Sequence, residues 1–241
     1  MKLLKSTASL GGEILEMDLS QKLSQEQINF LNQCWNDRLV LVFKKQNLDD
    51  NKLINFSKNF GELDPPGPNP YGVKFLPEFP EINVISNVKN KEGTPIGNLG
   101  DGEAVWHADM TYEETPPKAG ILYALEVPKN QGNTHFANMT LAYDELPNKL
   151  KQKIDGKTLI HDSAHNSAGM LRKGYSEVSN PSETPGARHP IIIRDKNTNK
   201  KLLFLGRRPH AYIIGLEIEE SENLLDQIWE HATQEKFTWT Q

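Results

Sequence analysis

The chain has a single cysteine, Cys34, in 241 residues, so no intrachain disulfide can form and a reducing compartment is expected. A basic excess is also missing. Lys and Arg number 27 against 32 for Asp and Glu, a net charge of −5, and no basic tract gives an electrostatic reason to expect nucleic acid. No apolar run approaches the roughly 20 residues a bilayer span needs, which argues against membrane insertion. Met1-Lys2-Leu3-Leu4-Lys5-Ser6 carries positive charge but no apolar stretch behind it, so it does not read as a secretion signal. These absences together point to a cytoplasmic protein of ordinary globular composition, with 37% hydrophobic and 24% charged residues.

What is present suits one β-rich domain over residues 1–241 with helices on its flanks, since no linker or internal repeat interrupts the pattern. Ser24-Gln25-Glu26-Gln27 is a capping box, and Ile28, Leu31, Cys34 and Trp35 follow at helical spacing. Cys34 falls in that apolar stripe and is expected to be a small buried hydrophobe rather than a nucleophile. Leu39 to Phe43 reads as a buried strand, and Asp49 to Phe60 as a helix closed by Gly61. Prolines and glycines crowd Leu63 to Pro80, a long loop. Strand character returns at Ile82 to Ile85, Gly120 to Val127 and Asn133 to Ala137. Thr140 to Ile154 is helical with a restart at Pro147, and short strands are expected at 158–161, 190–194 and 202–205. Ser163 to Gly186 is too long for a plain connection and suits a lid or binding loop. A last helix begins near Glu219 with Leu224, Leu225, Ile228, Trp229 and Ala232 on one face. Phe237-Thr238-Trp239 then opens a strand for which the sequence offers no evident partner.

Trp106-His107-Ala108-Asp109 carries the chemistry. In an extended segment residues i and i+2 point the same way, so His107 and Asp109 can grip one ion. A mononuclear iron(II) oxygenase uses two histidines and one carboxylate on one face and leaves open positions for co-substrate and O₂. The spacing alone is weak evidence. Gly100-Asp101-Gly102-Glu103, a turn signal just before Trp106, strengthens it.

The stretch Leu99 to Tyr112 closely resembles the taurine and chlorophenoxyacetate dioxygenase family. Phe60-Gly61-Glu62-Leu63, Gly132-Asn133-Thr134-His135-Phe136, His189-Pro190, Gly206-Arg207-Arg208 and Glu230-His231-Ala232-Thr233 match in the same order, so the resemblance covers nearly the whole chain. It implies a mostly β, α+β protein with a double-stranded β-helix (jelly-roll) core, Fe(II) as metal, and 2-oxoglutarate and O₂ as co-substrates. It further implies His107 and Asp109 as iron ligands and Thr134 as a hydrogen-bond donor to a 2-oxoglutarate carboxylate. The activity implied is hydroxylation or oxidative cleavage of a small anionic organic substrate. A homo-oligomer is compatible with the resemblance.

The family's second iron-binding histidine, and the arginine that pairs with the distal carboxylate of 2-oxoglutarate, come after a strand following the last helix. This chain ends at Thr238-Trp239-Thr240-Gln241, before both, so the barrel is expected to lack its C-terminal part. Trp106 suits either the substrate side or plain packing beside the metal. Arg207 and Arg208 read as surface charge. His135 is expected on the opposite strand face from Thr134, His231 on the polar face of the last helix, and His161, His165, His189 and His210 as surface or supporting histidines. Two other readings stay open: a non-catalytic small-molecule binder or interaction protein derived from this fold, and a jelly-roll hydrolase or isomerase with another divalent ion.

Overall fold

The computed structural model describes residues 1–99, 105–129 and 131–241. The chain opens with β1 (Lys2–Lys5), β2 (Gly12–Leu15), α1 (Gln25–Arg38), β3 (Leu41–Val42), α2 (Asp50–Ser57), β4 (Ile85–Ser86) and β5 (Asn98–Leu99). It continues through β6 (His135–Ala137), α3 (Met139–Asp144), α4 (Asn148–Ile154), β7 (Thr158–Ile160), β8 (Arg188–Pro190), β9 (Ile192–Arg194), β10 (Lys201–Leu203) and β11 (Tyr212–Ile213). It closes with α5 (Ile218–Ala232) and β12 (Thr238–Thr240). The mixed helix and strand content agrees with the sequence, but the expected barrel does not form among the described residues. Strands there pair in five small sheets: β1-β2-β3, β4-β5, β11-β7-β8, β9-β10 and β6-β12.

The capping box at Ser24 is real in both directions. Its hydroxyl accepts from Gln27 N at 3.2 Å while the Gln27 side chain accepts from Ser24 N at 2.8 Å. Replacing Ser24 with alanine leaves the Gln27 amide hydrogen without its partner and should lower the unfolding free energy by about 1 kcal/mol, read from urea midpoints. The helix then turns Leu31 and Cys34 into a cluster with Ile14, Leu19 and Phe56, and burial pushes the Cys34 thiol pKa up. Phe43 and Phe56 meet there edge to face at 5.7 Å.

Several expected boundaries shift. The strand read over Leu39 to Phe43 shrinks to Leu41–Val42, half-buried. Leu39 instead caps α1 with φ 65°, its amide donating to Trp35 O at 2.7 Å. The cause lies nearby. Arg38, the last residue of α1, donates to Gly11 O at 3.0 Å and Ala8 O at 2.7 Å, so the helix is pinned at that residue by the segment before β2. The helix α2 stops at Ser57, short of Phe60, with Asp49 capping its start.

Gly120 to Val127 forms no strand at all. Leu122 and Leu125 are 74% and 86% exposed, and Tyr123, whose hydroxyl accepts from Leu48 N at 3.1 Å, anchors the segment. Its apolar composition suits a ladder, yet it pairs in no sheet among the described residues, and an unpaired backbone does not settle as a strand.

The second cluster gathers Leu159, Ile191, Leu203, Leu225, Ile228 and Phe237 from β7, β10, α5 and the turns beside them. The predicted stripe on the last helix holds: Leu224, Leu225, Ile228 and Ala232 are buried and Trp229 packs at their edge. The restart at Pro147 also holds, since it sits at the N-cap of α4. The closing strand does find a partner. β12 pairs antiparallel with β6, setting Thr238 against Ala137 and Thr240 against His135. Its pairing partner lies about a hundred residues upstream, too far for local pattern to reveal.

Candidate metal centre

Two chain passes hold the Val105–Asp109 segment. Val105 N donates to Ser167 O at 3.1 Å, Ala108 N donates to Gly206 O at 2.9 Å, and His107 bridges antiparallel to Arg207. The His107 ring is oriented from inside its own segment, with Nδ1 2.7 Å from Val105 O. A carbonyl can only accept, so Nδ1 carries the hydrogen and the neutral ring presents a lone pair at Nε2. That nitrogen faces Asp109 Oδ1 at 3.2 Å. Two acceptors face to face need a cation between them, either a proton or a metal ion. The pair's pKa directions express this: the contact with Asp109 raises His107, and the same contact lowers Asp109. An imidazole nitrogen and a carboxylate oxygen on one edge are a donor set that a divalent transition ion fits.

Gly120 stands over the carboxylate. A Cβ there would come within 3.3 Å of Asp109 Oδ2, so glycine keeps that side of Asp109 open. Sequence pattern gave no sign of this contact. The turn expected at Gly100–Glu103 lies outside the described residues, as does Asn130 of the loop at 128–132.

Trp106 is half-buried and its ring lies 6.2 Å from that of His135, which brings β6 beside the His107–Asp109 segment. Thr134 precedes β6 directly and is exposed. It exchanges both backbone hydrogen bonds with Gln241, at 3.0 and 2.9 Å. His135 accepts or donates at Nδ1 with the Thr240 hydroxyl at 2.8 Å.

The arginines depart from the sequence expectation. Arg207 is buried, not a surface charge: its guanidinium pairs with buried Asp162 and donates to Asn166 O at 2.6 Å. The sequence separation of 45 between the partners hides this pair from local reading. Arg208 is partly exposed and ties the loop to α5 through Asp226 at 2.6 Å and Glu222 at 2.7 Å. His231 is corrected as well. It is buried, with Nε2 2.9 Å from Ala142 O, because α3 covers the helix face on which it sits. His161 and His165, read as surface or supporting histidines, are both buried. His189 Nε2 lies 3.0 Å from Glu113 O, on the chain that follows Asp109.

Among the described residues, His107 and Asp109 stand as a pair. The grouping of three or more His, Cys, Asp or Glu donors found there is Asp162, His165 and His210, behind Arg207. No described helix is long and apolar enough to cross a membrane.

Comparison with known proteins gives this geometry its context. Residues 2–241 match the family described as "Taurine catabolism dioxygenase TauD, TfdA family". An alpha-ketoglutarate-dependent 2,4-dichlorophenoxyacetate dioxygenase of Burkholderia sp. is 28% identical over 95% of this chain and 78% of its own length. An (S)-phenoxypropionate/alpha-ketoglutarate-dioxygenase of Sphingobium herbicidovorans is 31% identical over 85% of this chain and 70% of its own. The crystal structure of a taurine dioxygenase from Burkholderia xenovorans superposes with a TM-score of 0.76 at 27% identity, covering all of this chain and 75% of that one. The chain superposes over its whole length on a taurine dioxygenase structure, and it belongs to the TauD/TfdA family of alpha-ketoglutarate-dependent (2-oxoglutarate-dependent) dioxygenases.

Proposed function

We propose that this chain is the dioxygenase domain of an enzyme that hydroxylates or oxidatively cleaves a small organic anion, with Fe(II) held by His107 and Asp109. The observation that carries the reading is the facing pair of acceptors, His107 Nε2 and Asp109 Oδ1 at 3.2 Å, in a chain of this family. When bound, iron with 2-oxoglutarate and O₂ supplies the oxidising chemistry, in which 2-oxoglutarate becomes succinate and CO₂ and one oxygen atom goes to the substrate. The residues do the positioning. The Val105 carbonyl fixes the His107 tautomer so that Nε2 stays free, and Gly120 leaves room beside Asp109 Oδ2. Thr134 donates its hydroxyl hydrogen to a carboxylate of 2-oxoglutarate, and Trp106, between the metal segment and β6, limits water on that side.

Relatives named for aryloxy acids, a phenoxyacetate and a phenoxypropionate, support the anionic substrate. The lone buried Cys34 and the absence of a described membrane-crossing helix suit a cytoplasmic enzyme. The test is succinate release from 2-oxoglutarate under air with added Fe(II), comparing aryloxyacetates with their neutral methyl esters. Release stimulated by the acids and not by the esters is expected. Release indifferent to 2-oxoglutarate, or absent with every acid while iron binding persists in a His107→Ala variant, would overturn the proposal.

A further inference from the structure

Arg172 and Arg207 are both buried, but the buried residues described include a single carboxylate, Asp162. That carboxylate is committed elsewhere. It pairs with Arg207, its Oδ1 takes the Ala164 amide at 2.7 Å, and its Oδ2 also meets His165 Nδ1 at 2.9 Å. Burial lowers the Arg207 pKa, Asp162 offsets this, and the nearby Arg172 charge lowers it again. Arg172 itself is 9% exposed and forms no ion pair among the described residues. Its Nη1 donates to Ser163 O at 3.1 Å, while its Nε is closed to solvent and donates to nothing among those residues. A buried cation with an unused donor is costly unless an anion completes it.

The guanidinium has a fixed seat. Its central carbon lies over the Tyr112 ring, 4.1 Å from the centroid, and Tyr112 follows Asp109 closely in the chain. The backbone of Arg172 is held too, with its amide donating to Ala164 O at 2.7 Å. Both long loops meet at this place. Lys173 N, in the loop 163–186, donates to Asn69 O in the loop 63–80 at 3.3 Å. A Cβ on Gly67 would run into the Tyr112 hydroxyl, and one on Gly72 into the Lys173 side chain, so glycine lets the turn at 67–73 lie against both.

We propose that Arg172 recognises the carboxylate of the organic substrate, taking it on the guanidinium edge formed by Nε and Nη2. That edge matches a planar carboxylate with two parallel, charge-assisted bonds, and exclusion of water strengthens them. Entry goes with displacement of the turn at 67–73, which packs on the residues at either side of the guanidinium. The place also suits a substrate better than the co-substrate. Arg172 approaches the His107–Asp109 segment from the Asp109 end through Tyr112, whereas Thr134 approaches from the Trp106 end through His135. The substrate role rests on the dioxygenase reading; the anion site itself stands on burial and charge.

Calorimetric titration of phenoxyacetate into the full chain, with chelator present and ionic strength fixed, tests this without iron. Wild type should bind phenoxyacetate and should not bind its neutral methyl ester. Arg172→Met should weaken phenoxyacetate binding at least ten-fold, and Arg172→Lys, which keeps the charge but not the fork, should fall between. Excess 2-oxoglutarate or sulfate should leave the wild-type affinity within two-fold. Absence of wild-type binding, or equal affinity in folded Arg172→Met, would overturn the proposal. Displacement by 2-oxoglutarate would give the site to the co-substrate and displacement by sulfate to any anion, and either would overturn the substrate role. If Arg172→Met does not fold, Arg172→Lys decides, and affinity equal to wild type sinks the proposal. The two readings fail separately. Phenoxyacetate binding lost in Arg172→Met, in a chain that releases no succinate from 2-oxoglutarate, would keep the anion site and sink the dioxygenase reading. Succinate release stimulated by the acid equally in wild type and Arg172→Met would do the reverse.

Discussion

Replacing Asp109 with alanine is expected to weaken Fe(II) or Co(II) binding at the His107 segment by at least about 100-fold, because even groups that merely support a ligand typically change metal affinity by about 10–100-fold. The variant is clean on structural grounds. The Asp109 side chain is 69% exposed, and surface changes of this kind usually alter stability by no more than about 0.5 kcal/mol. The His107 ring also stays in place without it, since its orientation comes from Val105 O at 2.7 Å. The loss therefore reports a missing ligand oxygen rather than a disturbed segment. Asp109→Asn provides the control for charge. It keeps the shape and one carbonyl oxygen but removes the negative charge, so it should fall between wild type and alanine in metal affinity and in 2-oxoglutarate-dependent succinate release. Equal affinity in Asp109→Ala and wild type, at the equivalent that His107→Ala removes, would show that Asp109 is not a ligand.

The second large effect concerns acid. His161 is 2% exposed, both its ring nitrogens lack a partner among the described residues, and burial with the nearby His189 depresses its pKa to about 3. It is packed against Phe204 at 5.2 Å and His189 at 5.0 Å, and against Gly206, where a Cβ would lie 2.2 Å from His161 Nδ1. The folded state thus holds the ring neutral where the unfolded chain protonates it near pH 6.5. The sign follows directly. Above pH 6.5 neither state carries the proton and nothing is lost. Below it the unfolded state gains a proton that the folded state refuses, so stability falls as pH drops, by about 1.4 kcal/mol per pH unit until the folded-state value near 3 is reached.

His161→Leu removes the titrating ring but keeps an apolar side chain of similar reach. Urea midpoints measured from pH 7.5 to 4.5 should show a wild-type stability that falls more steeply than the variant's by about 1.4 kcal/mol per unit below pH 6.5. Other acidic losses, from the lowered carboxylates such as Asp37, are shared by both proteins and cancel in the difference. Parallel curves would mean that the ring finds a proton partner in the folded state.

The parts of this molecule that sequence revealed are those whose cause is local. The Ser24–Gln27 box, the Pro147 restart and the face of α5 each depend on residues three or four apart, and each forms as read. That the His107 and Asp109 side chains would meet was visible for the same reason, since they are two residues apart, and they lie 3.2 Å from each other. What stayed hidden depends on partners distant in sequence. Arg207 is charged and looks exposed until Asp162 is brought beneath it. His231 falls on a polar helix face until α3 covers it. Gly120 is one glycine among 17 until Asp109 is placed beside it. Gly120 to Val127 shows the converse. Composition gives a segment its preference for a strand, but only a neighbour's hydrogen bonds make it one, and this segment joins no ladder among the described residues.

The pairing of β12 with β6 has a thermodynamic meaning. Thr134, proposed to hold the co-substrate, and Gln241 share two backbone hydrogen bonds, so the docked state of one segment is the ordered state of the other. A ligand that favours the ordered form of Thr134 necessarily strengthens the docking of 238–241 by the same free energy, and a docked terminal strand tightens that ligand in return. The two ends of this ladder, distant in sequence, behave as one binding element.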